Sequence, residues 1–597
     1  MTSTTEALPR TDPLPTEGDW VARFADEVEA DKRAATGAGG TIVCASGISP
    51  SGPIHLGNLR EVLTPHFVAD ELRRRGCDVV HLLSWDDYDR FRRVPAGFDP
   101  SWVEHIGKPL TSVPAPPGSE HPNWAEHFKA LLVEALDVLG VEVRAVSQTQ
   151  MYTSGAYTEQ VLLAMRERDR IDTILGRYRT LQSKSTQQQM SDEADDEGSG
   201  AATEDDGASA SGYFPYKPYC PRCGRDTTKV TGYDDATTAM TYVCEDGFTE
   251  TVPLREHRSG KLVWKVDWPM RWAYEGVLFE PSGVDHSSPG SSFVVGGQIV
   301  REVFGAEPPI GPMYAFVGVS GMAKMSSSKG AVLTPLDALG IMEAPLLRWL
   351  YARRRANQAI TVAFDQEIQR LYDEWDALGG RVSRGDAVPP GEVAGYVRAV
   401  GPAGRTLETT PRPVAYRTLA SVADITTGDP EQTLRILRDL DPTDPVASLD
   451  EVRPRLDRAA HWVATQLPDD QRTHVRTTPD ADMLAALDDQ QRDALRLLVD
   501  GLDEHWSLAG LTTLVYGVPK VQAGLPPDTK PTAELKAAQR AFFALLYRLL
   551  VGRDTGPRLP TLLLAVGADR IRTLLTPPAL TPPATASASA PTPGSTS

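Results

Sequence analysis

No stretch of the chain approaches the ~18 consecutive apolar residues that a membrane-spanning helix requires, and Met1 to Trp20 is polar and proline-bearing where a secretory leader would carry an apolar core. A cytoplasmic location without a membrane partner is the expectation. Cysteine is scarce. The five residues, at 44, 77, 220, 223 and 244, are too few and too unevenly spaced to staple a secreted framework. Positive charge is also in deficit: 61 Lys+Arg against 80 Asp+Glu leave a net charge of −19, which argues against non-specific polyanion binding and leaves a local basic patch as the means of holding nucleic acid. No internal repeat is evident. What is present, 597 residues that are 41% hydrophobic and 24% charged, fits a soluble globular protein of about three to four domains at ~150 residues each.

Composition breaks the chain in three places. Residues 1–18 and 576–597 are Pro-, Ser- and Thr-bearing ends without core residues, and 187–212 is an acidic Gly/Ser/Ala insertion; all three are expected to be disordered. Between them, Thr41 to Ser46 reads as a buried strand, Gly47 to Pro53 as a turn, Leu56 to Arg75 as a helix stopped by Gly76, and Cys77 to Trp85 as a second strand. That βαβ unit belongs to a parallel sheet, whose ligands sit beyond the strands' carboxyl ends, here Gly47 to Asn58 and Asp86 to Arg90. After Pro335 the sequence turns Leu-, Ala-, Asp- and Arg-rich, with helical periods in Pro345 to Ala356, Phe364 to Leu378, Leu449 to Leu467, Met483 to His505 and Ala533 to Val551.

Two short motifs carry phosphate chemistry. Ser51 to Asn58 (SGPIHLGN) sits on the strand-to-helix turn, where glycine allows close backbone approach, the helix N-terminus offers free N–H groups and His55 adds a donor. Lys324 to Gly330 (KMSSSKG) offers two ammonium groups and three hydroxyls to a leaving pyrophosphate. Each alone reads as an ordinary loop. The pair, with the second motif some 270 residues after the first, seldom arises by chance.

With these residues the sequence resembles the class I aminoacyl-tRNA synthetases and, among them, most closely the class I lysyl-tRNA synthetases. The likeness is carried by Gly47 to Glu61 (GISPSGPIHLGNLRE), Ser84 to Arg90 (SWDDYDR), Trp264 to Trp272 (WKVDWPMRW), Phe279 to Gly290, Lys324 to Gly330, Phe364 to Asp376 and Ala541 to Leu559, and it runs from about residue 18 to about 575. It implies an α/β Rossmann-type parallel-sheet catalytic domain over 19–335 with a zinc-knuckle-like insertion at 213–262, followed by an all-α helical stem and anticodon-binding region over 336–575. The implied activity is lysine–tRNA ligation: lysine attacks the α-phosphorus of ATP, with Mg²⁺ on the phosphates, and the lysyl group passes to the 3′ end of tRNA(Lys). In that scheme Pro53, His55, Gly57, Asn58, Lys324, Ser326 and Ser327 hold ATP, and His55, Asn58, Lys324 and Lys329 serve catalysis. Ser327 stands where the family carries a second lysine, so Lys324 or Lys329 supplies the charge.

A lysine pocket needs aromatic faces and carboxylates around an ammonium. The resemblance points to Gly47, Ser49, Trp264, His286 and Tyr314, with Ser49 in place of a common Thr; Asp86, or its neighbour Asp87, at the strand edge is a candidate partner for a substrate amine. Trp264, Trp268 and Trp272 recur every four residues, so the last two read as core. Cys220, Cys223 and Cys244 outline a structural Zn²⁺ knuckle in which Gly247 occupies the expected fourth thiolate position, leaving Asp246, His257 or a metal-free hairpin as alternatives. Cys44 and Cys77 read as inert core thiols. Glu120, His121 and His127 fall where relatives can carry a second metal, but Ala115 or Pro116 replaces an acidic partner, and exposed histidines are the reading taken. The rival readings are a synthetase for glutamate, cysteine or arginine, with Arg271 or Arg301 as a pocket arginine; a zinc-knuckle RNA-binding module; and an NAD-dependent oxidoreductase, against which the absence of G-x-G-x-x-G after the first strand counts.

Overall fold

The computed structural model describes residues 18–36, 40–189, 208–209, 212–286, 291–320, 332–426, 428–526 and 528–576. The chain divides into two compact units between Thr409 and Thr410, well beyond the compositional change at Pro335.

The first unit is built on four parallel strands. The βαβ unit read from the sequence is present as β1 (Ile42–Ile48), α2 (Leu56–Arg74) and β2 (Val79–Trp85), with helix α1 (Trp20–Thr36) ahead of it. Strand β2 pairs in register with β1, placing Gly47 beside Ser84 and Ile48 beside Trp85. Helix α3 (Trp124–Val138) then leads to the short strand β3 (Arg144–Ser147) on the far side of β2, and helix α4 (Gln148–Ser154) follows at once. The chain returns much later, through helix α5 (Trp264–Glu275), to β4 (Val277–Phe279) on the other side of β1. The order β4-β1-β2-β3 therefore reverses at β1, and a crevice opens beyond the carboxyl ends of β1 and β4.

Burial explains these elements. Seven residues of β1 read as a nearly unbroken apolar run because helices cover both faces of the sheet. Helix α2 buries most of its length and is locked by charge as well as packing: Arg398 donates to Glu71 at 2.6 Å and pairs with Asp19, while Arg348 donates to the Leu139 carbonyl at 2.8 Å and meets His66 Nε2 at 3.0 Å. These arginines lie on segments after Pro335, which is why those helices pack in the first unit. Cys44 is a buried core thiol, its pKa pushed up to about 12 by burial, but Cys77 precedes β2 and is half-buried, 3.4 Å from Glu29.

Between α4 and α5 lies the insertion. Arg168–Gln189 is a helix, and Ala208–Ser209 pairs antiparallel with Gly212–Tyr213, so ordered backbone reaches into both ends of the expected 187–212 segment; residues 190–207, 210 and 211 lie outside the described residues. A three-stranded antiparallel sheet follows, Thr228–Tyr233, Ala239–Cys244 and Thr249–Pro253, and Gly260–Leu262 pairs with Tyr216–Pro218 before the chain enters α5. Of the expected disordered ends, 1–18 and 576–597, all but Gly18 and Thr576 lie outside the described residues.

Every described element of the second unit is helical. Its centre is Leu559–Val566, all eight residues of which are buried. Two of the periods read from sequence are each broken once: Leu449–Val452 is a 3₁₀ turn before Arg455–Gln466, and Ala481–Ala485 is separated from Asp489–Gly501 by a capping box at Asp488 and Gln491. No helix among the described residues is long and apolar enough to cross a membrane.

Candidate active site

The turn after β1 is fixed by its own side chains. His55 caps α2: its Nδ1 accepts from Gly57 N at 3.0 Å, and its backbone N–H donates to Asn58 Oδ1 at 3.2 Å. A Cβ on Gly57 would lie 2.6 Å from His55 Cε1, so glycine is what lets the imidazole fold over the first turn. Trp124 Nε1 holds the Ser51 carbonyl at 3.0 Å from the other side. The result is a helix N-terminus with Pro53, His55, Gly57 and Asn58 gathered at the mouth of the sheet, suited to an anion.

Beside it a cavity opens between the ends of β1 and β4. Gly47, Trp264, His286 and Tyr314, named from sequence, all line it. Ser49 is exposed and does not line it. Helix α5 brings its tryptophans to one wall. Trp268 and Trp272 donate their Nε1 to Glu280 at 3.1 and 2.6 Å and belong to the core, whereas Trp264 stacks on Trp268 with centroids 5.1 Å apart and its Nε1 has no partner among the described residues. His286 lies edge-on to Trp268 at 5.8 Å.

Sequence reasoning missed the carboxylate at the centre of this cavity, Glu61 of α2. It accepts from Gly47 N at 3.3 Å and from the Tyr314 hydroxyl at 3.1 Å. Burial pushes its pKa up to about 8, the Tyr314 bond opposing and the carboxylates of Glu280 and Asp86 adding to the rise. Glu280 is raised for the same first reason, burial. An aromatic wall facing an acidic centre is the surrounding an alkylammonium group prefers.

The family described as tRNA synthetases class I (K) matches residues 18–388. A lysine–tRNA ligase of Streptomyces coelicolor is 67% identical over 570 residues, covering 93% of this chain and 98% of that protein. The chain belongs to the class I lysyl-tRNA synthetases. A lysine–tRNA ligase of Pyrococcus horikoshii is 32% identical over 536 residues (87% of this chain, 93% of that one), and one of Treponema pallidum is 30% identical over 546 (89% and 94%).

Within this synthetase the strand-edge acids have structural partners. Asp86, read from sequence as a partner for a substrate amine, accepts instead from Arg271 at 2.7 Å, so its carboxylate is already engaged. Asp87 is fully buried and ties β2 to α4, accepting from Lys129 at 2.5 Å, Ser147 Oγ at 2.6 Å and Thr149 N at 2.8 Å. Asp89 pairs with Lys261. Of the two arginines that kept a glutamate reading open, Arg301 is half exposed against Glu307, and Arg271 is held by Asp86 and Asp267. The signature loop, with Lys324, Ser326, Ser327 and Lys329, lies outside the described residues.

The cysteine outline closes into a cluster. Ligand atoms of Cys220, Cys223, Cys244 and Asp246 lie within 4.8 Å of one another, a donor set suited to a metal ion. His257 is directed elsewhere, its Nε2 2.7 Å from the Ser259 carbonyl. Gly247, at the expected fourth thiolate position, has φ of +80°, a left-handed turn in which a cysteine would be strained, so this hairpin is shaped for glycine. Asp246 also accepts from Arg222 Nε at 2.8 Å, a bond that holds its pKa down to about 2. At the other proposed cluster, His121 and His127 have centroids 6.0 Å apart and Ser119 Oγ lies 3.0 Å from His127 Nδ1, while Glu120 is exposed and joins no metal-ligating group among the described residues.

Proposed function

We propose that the chain condenses L-lysine with ATP to give lysyl-adenylate and pyrophosphate, and then transfers the lysyl group to the 3′ end of tRNA(Lys) in the cytoplasm. The observation that carries the reading is the Glu61 carboxylate, braced by Tyr314 and Gly47 in a cavity walled by Trp264 and His286, at the switch point of a class I sheet.

In this reading the cavity binds lysine, with Glu61 pairing to an amine and the aromatic walls covering the stem; Ser49 stands at the rim. ATP lies across Pro53, His55, Gly57 and Asn58, with the α2 N-terminus facing its phosphates, and its Mg²⁺ arrives with the nucleotide. Lysine's carboxylate attacks the α-phosphorus in line, and Lys324 and Lys329 with Ser326 and Ser327 meet the negative charge that develops on pyrophosphate. No side-chain nucleophile is required, because orientation and charge stabilisation suffice for both steps. The second unit reads the anticodon. Cys220, Cys223, Cys244 and Asp246 would hold Zn²⁺, which would brace the insertion whose strand Gly260–Leu262 delivers Trp264.

ATP–pyrophosphate exchange run with each of the twenty amino acids tests this. Lysine should support the fastest exchange; fastest exchange with glutamate, arginine or cysteine would overturn the assignment.

A further inference from the structure

The lysine reading leaves an electrostatic problem. Arg271 lines the same cavity as Glu61 and Tyr314, with its guanidinium carbon 5.2 Å from the Trp264 ring centroid. A substrate whose side chain is itself a cation would enter a cavity that already holds a guanidinium, and between buried groups like charges repel strongly.

The surroundings of Arg271 answer this. Asp86 Oδ1 lies 2.7 Å from it, Asp267 Oδ2 3.4 Å and Ser84 Oγ 2.7 Å, and all of these groups are buried. Lys261, a partly buried neighbour, is matched in turn by Asp89 and Asp267. Arg92 reaches Asp89 at 3.9 Å, so three carboxylates face three cations and the cluster is balanced as long as Asp86 holds Arg271. Arg271 also stacks on Trp264, which gives the guanidinium a packing role that a smaller neutral residue would not fill.

We propose that Asp86 sets substrate specificity by charge without touching the substrate: it cancels Arg271, so that the cavity's field is left to Glu61 and favours a cationic side chain over an uncharged one of equal length. Asp86 is then a positioning residue for the pocket's potential. The inference rests on the lysine reading above.

The test compares lysine with norleucine, which has a similar stem and no side-chain ammonium, as substrate and competitive inhibitor in pyrophosphate exchange. Asp86→Asn should raise the lysine KM by at least about ten-fold while the norleucine Ki and the ATP KM stay within about two-fold, since only the cation feels the uncancelled guanidinium. Arg271→Gln, which loses the stacking on Trp264 along with the charge, should weaken lysine no more than it weakens norleucine. The neutral pair Asp86→Asn/Arg271→Gln should bring the lysine KM back toward wild type. Equal weakening of lysine and norleucine in Asp86→Asn would mean a distorted pocket and overturn the proposal, as would a double variant worse than either single one. A wild-type enzyme that bound norleucine as well as lysine would instead overturn the lysine reading itself.

Discussion

At the scale of single residues, two positions in the site can be tested by small changes. Gly57 is required because His55 folds back over the helix start, with room for no more than a hydrogen at Cα. Gly57→Ala should push the imidazole off its cap and lower kcat for adenylation on the order of 10- to 100-fold, as for a misplaced electrostatic group. The lysine Kd should hold, because His55 does not line the cavity; a rapid-quench measurement of adenylate formation with separate lysine titration distinguishes the two. Glu61 gives a pH signature. With its pKa at about 8 in the empty pocket, it is largely protonated at pH 7, and pairing with an ammonium requires the carboxylate. Lysine binding should therefore release a proton and tighten as pH rises toward 8, by up to about ten-fold per unit below that value. Calorimetry in buffers of different ionisation enthalpy reads the release directly, and Glu61→Gln should abolish it. Glu61 escaped sequence reading because a glutamate on a helix looks like solvated charge; what distinguishes it is Tyr314, 253 positions away, and no local pattern encodes that contact.

Among the elements, the sheet couples stability to pH through histidines that sequence reading passed over. His81 on β2 sits 3.1 Å from Ser46 Oγ of β1, and burial, with Arg73 adding, lowers its pKa to about 3. His66 on α2 is likewise lowered, by burial first and by Arg348. Both are neutral in the folded state and near 6.5 when unfolded, so their contribution is whole above about pH 6.5 and is lost as pH falls below it. His81 should cost about 2 kcal/mol at pH 5 relative to pH 7, and His66 adds a loss of the same sign. Urea midpoints across that range should fall, and His81→Asn should flatten the slope; an unchanged slope would assign the loss to other groups. The same sheet shows where periodicity works. Strands β1 and β2 and helix α2 were legible because both faces are covered and the apolar runs are long. Strands β3 and β4, of four and three residues, carry too little pattern, and β3 includes the exposed Arg144 and Ala145. Even just after β2, where Asp86 follows the strand as read, its partner was not readable, since Arg271 lies 185 positions on.

For the whole molecule, the change in composition at Pro335 and the division of the structure at Thr409 and Thr410 differ for a physical reason. Leu/Arg-rich helices look alike in sequence whether they cover a sheet or form their own core. What assigns Ala344–Ala352 and Pro390–Val400 to the first unit is that Arg348 and Arg398 end in the buried carbonyls and carboxylates of α1 to α3, and such pairs are costly to break once buried. The compositional change read at Pro335 thus falls 74 residues before the contact division after Thr409. The seam makes a prediction. Every described residue of the cavity and of the turn from Pro53 to Asn58 lies before Thr409, as does the signature loop at 324–330 in the sequence. A chain ended at Thr409 should then keep lysine-dependent pyrophosphate exchange to within about ten-fold of the full protein while losing aminoacylation of tRNA(Lys), because transition-state contacts for adenylation are separable from binding energy supplied by a remote unit. A chain ended at Pro335 should lose both activities, since it removes Arg348 and Arg398 and leaves Asp19 and Glu71 buried without their partner. Equal loss of exchange and aminoacylation in the Thr409 chain, with its circular dichroism and urea midpoint intact, would show that the helical unit takes part in the chemistry of activation and not only in tRNA recognition.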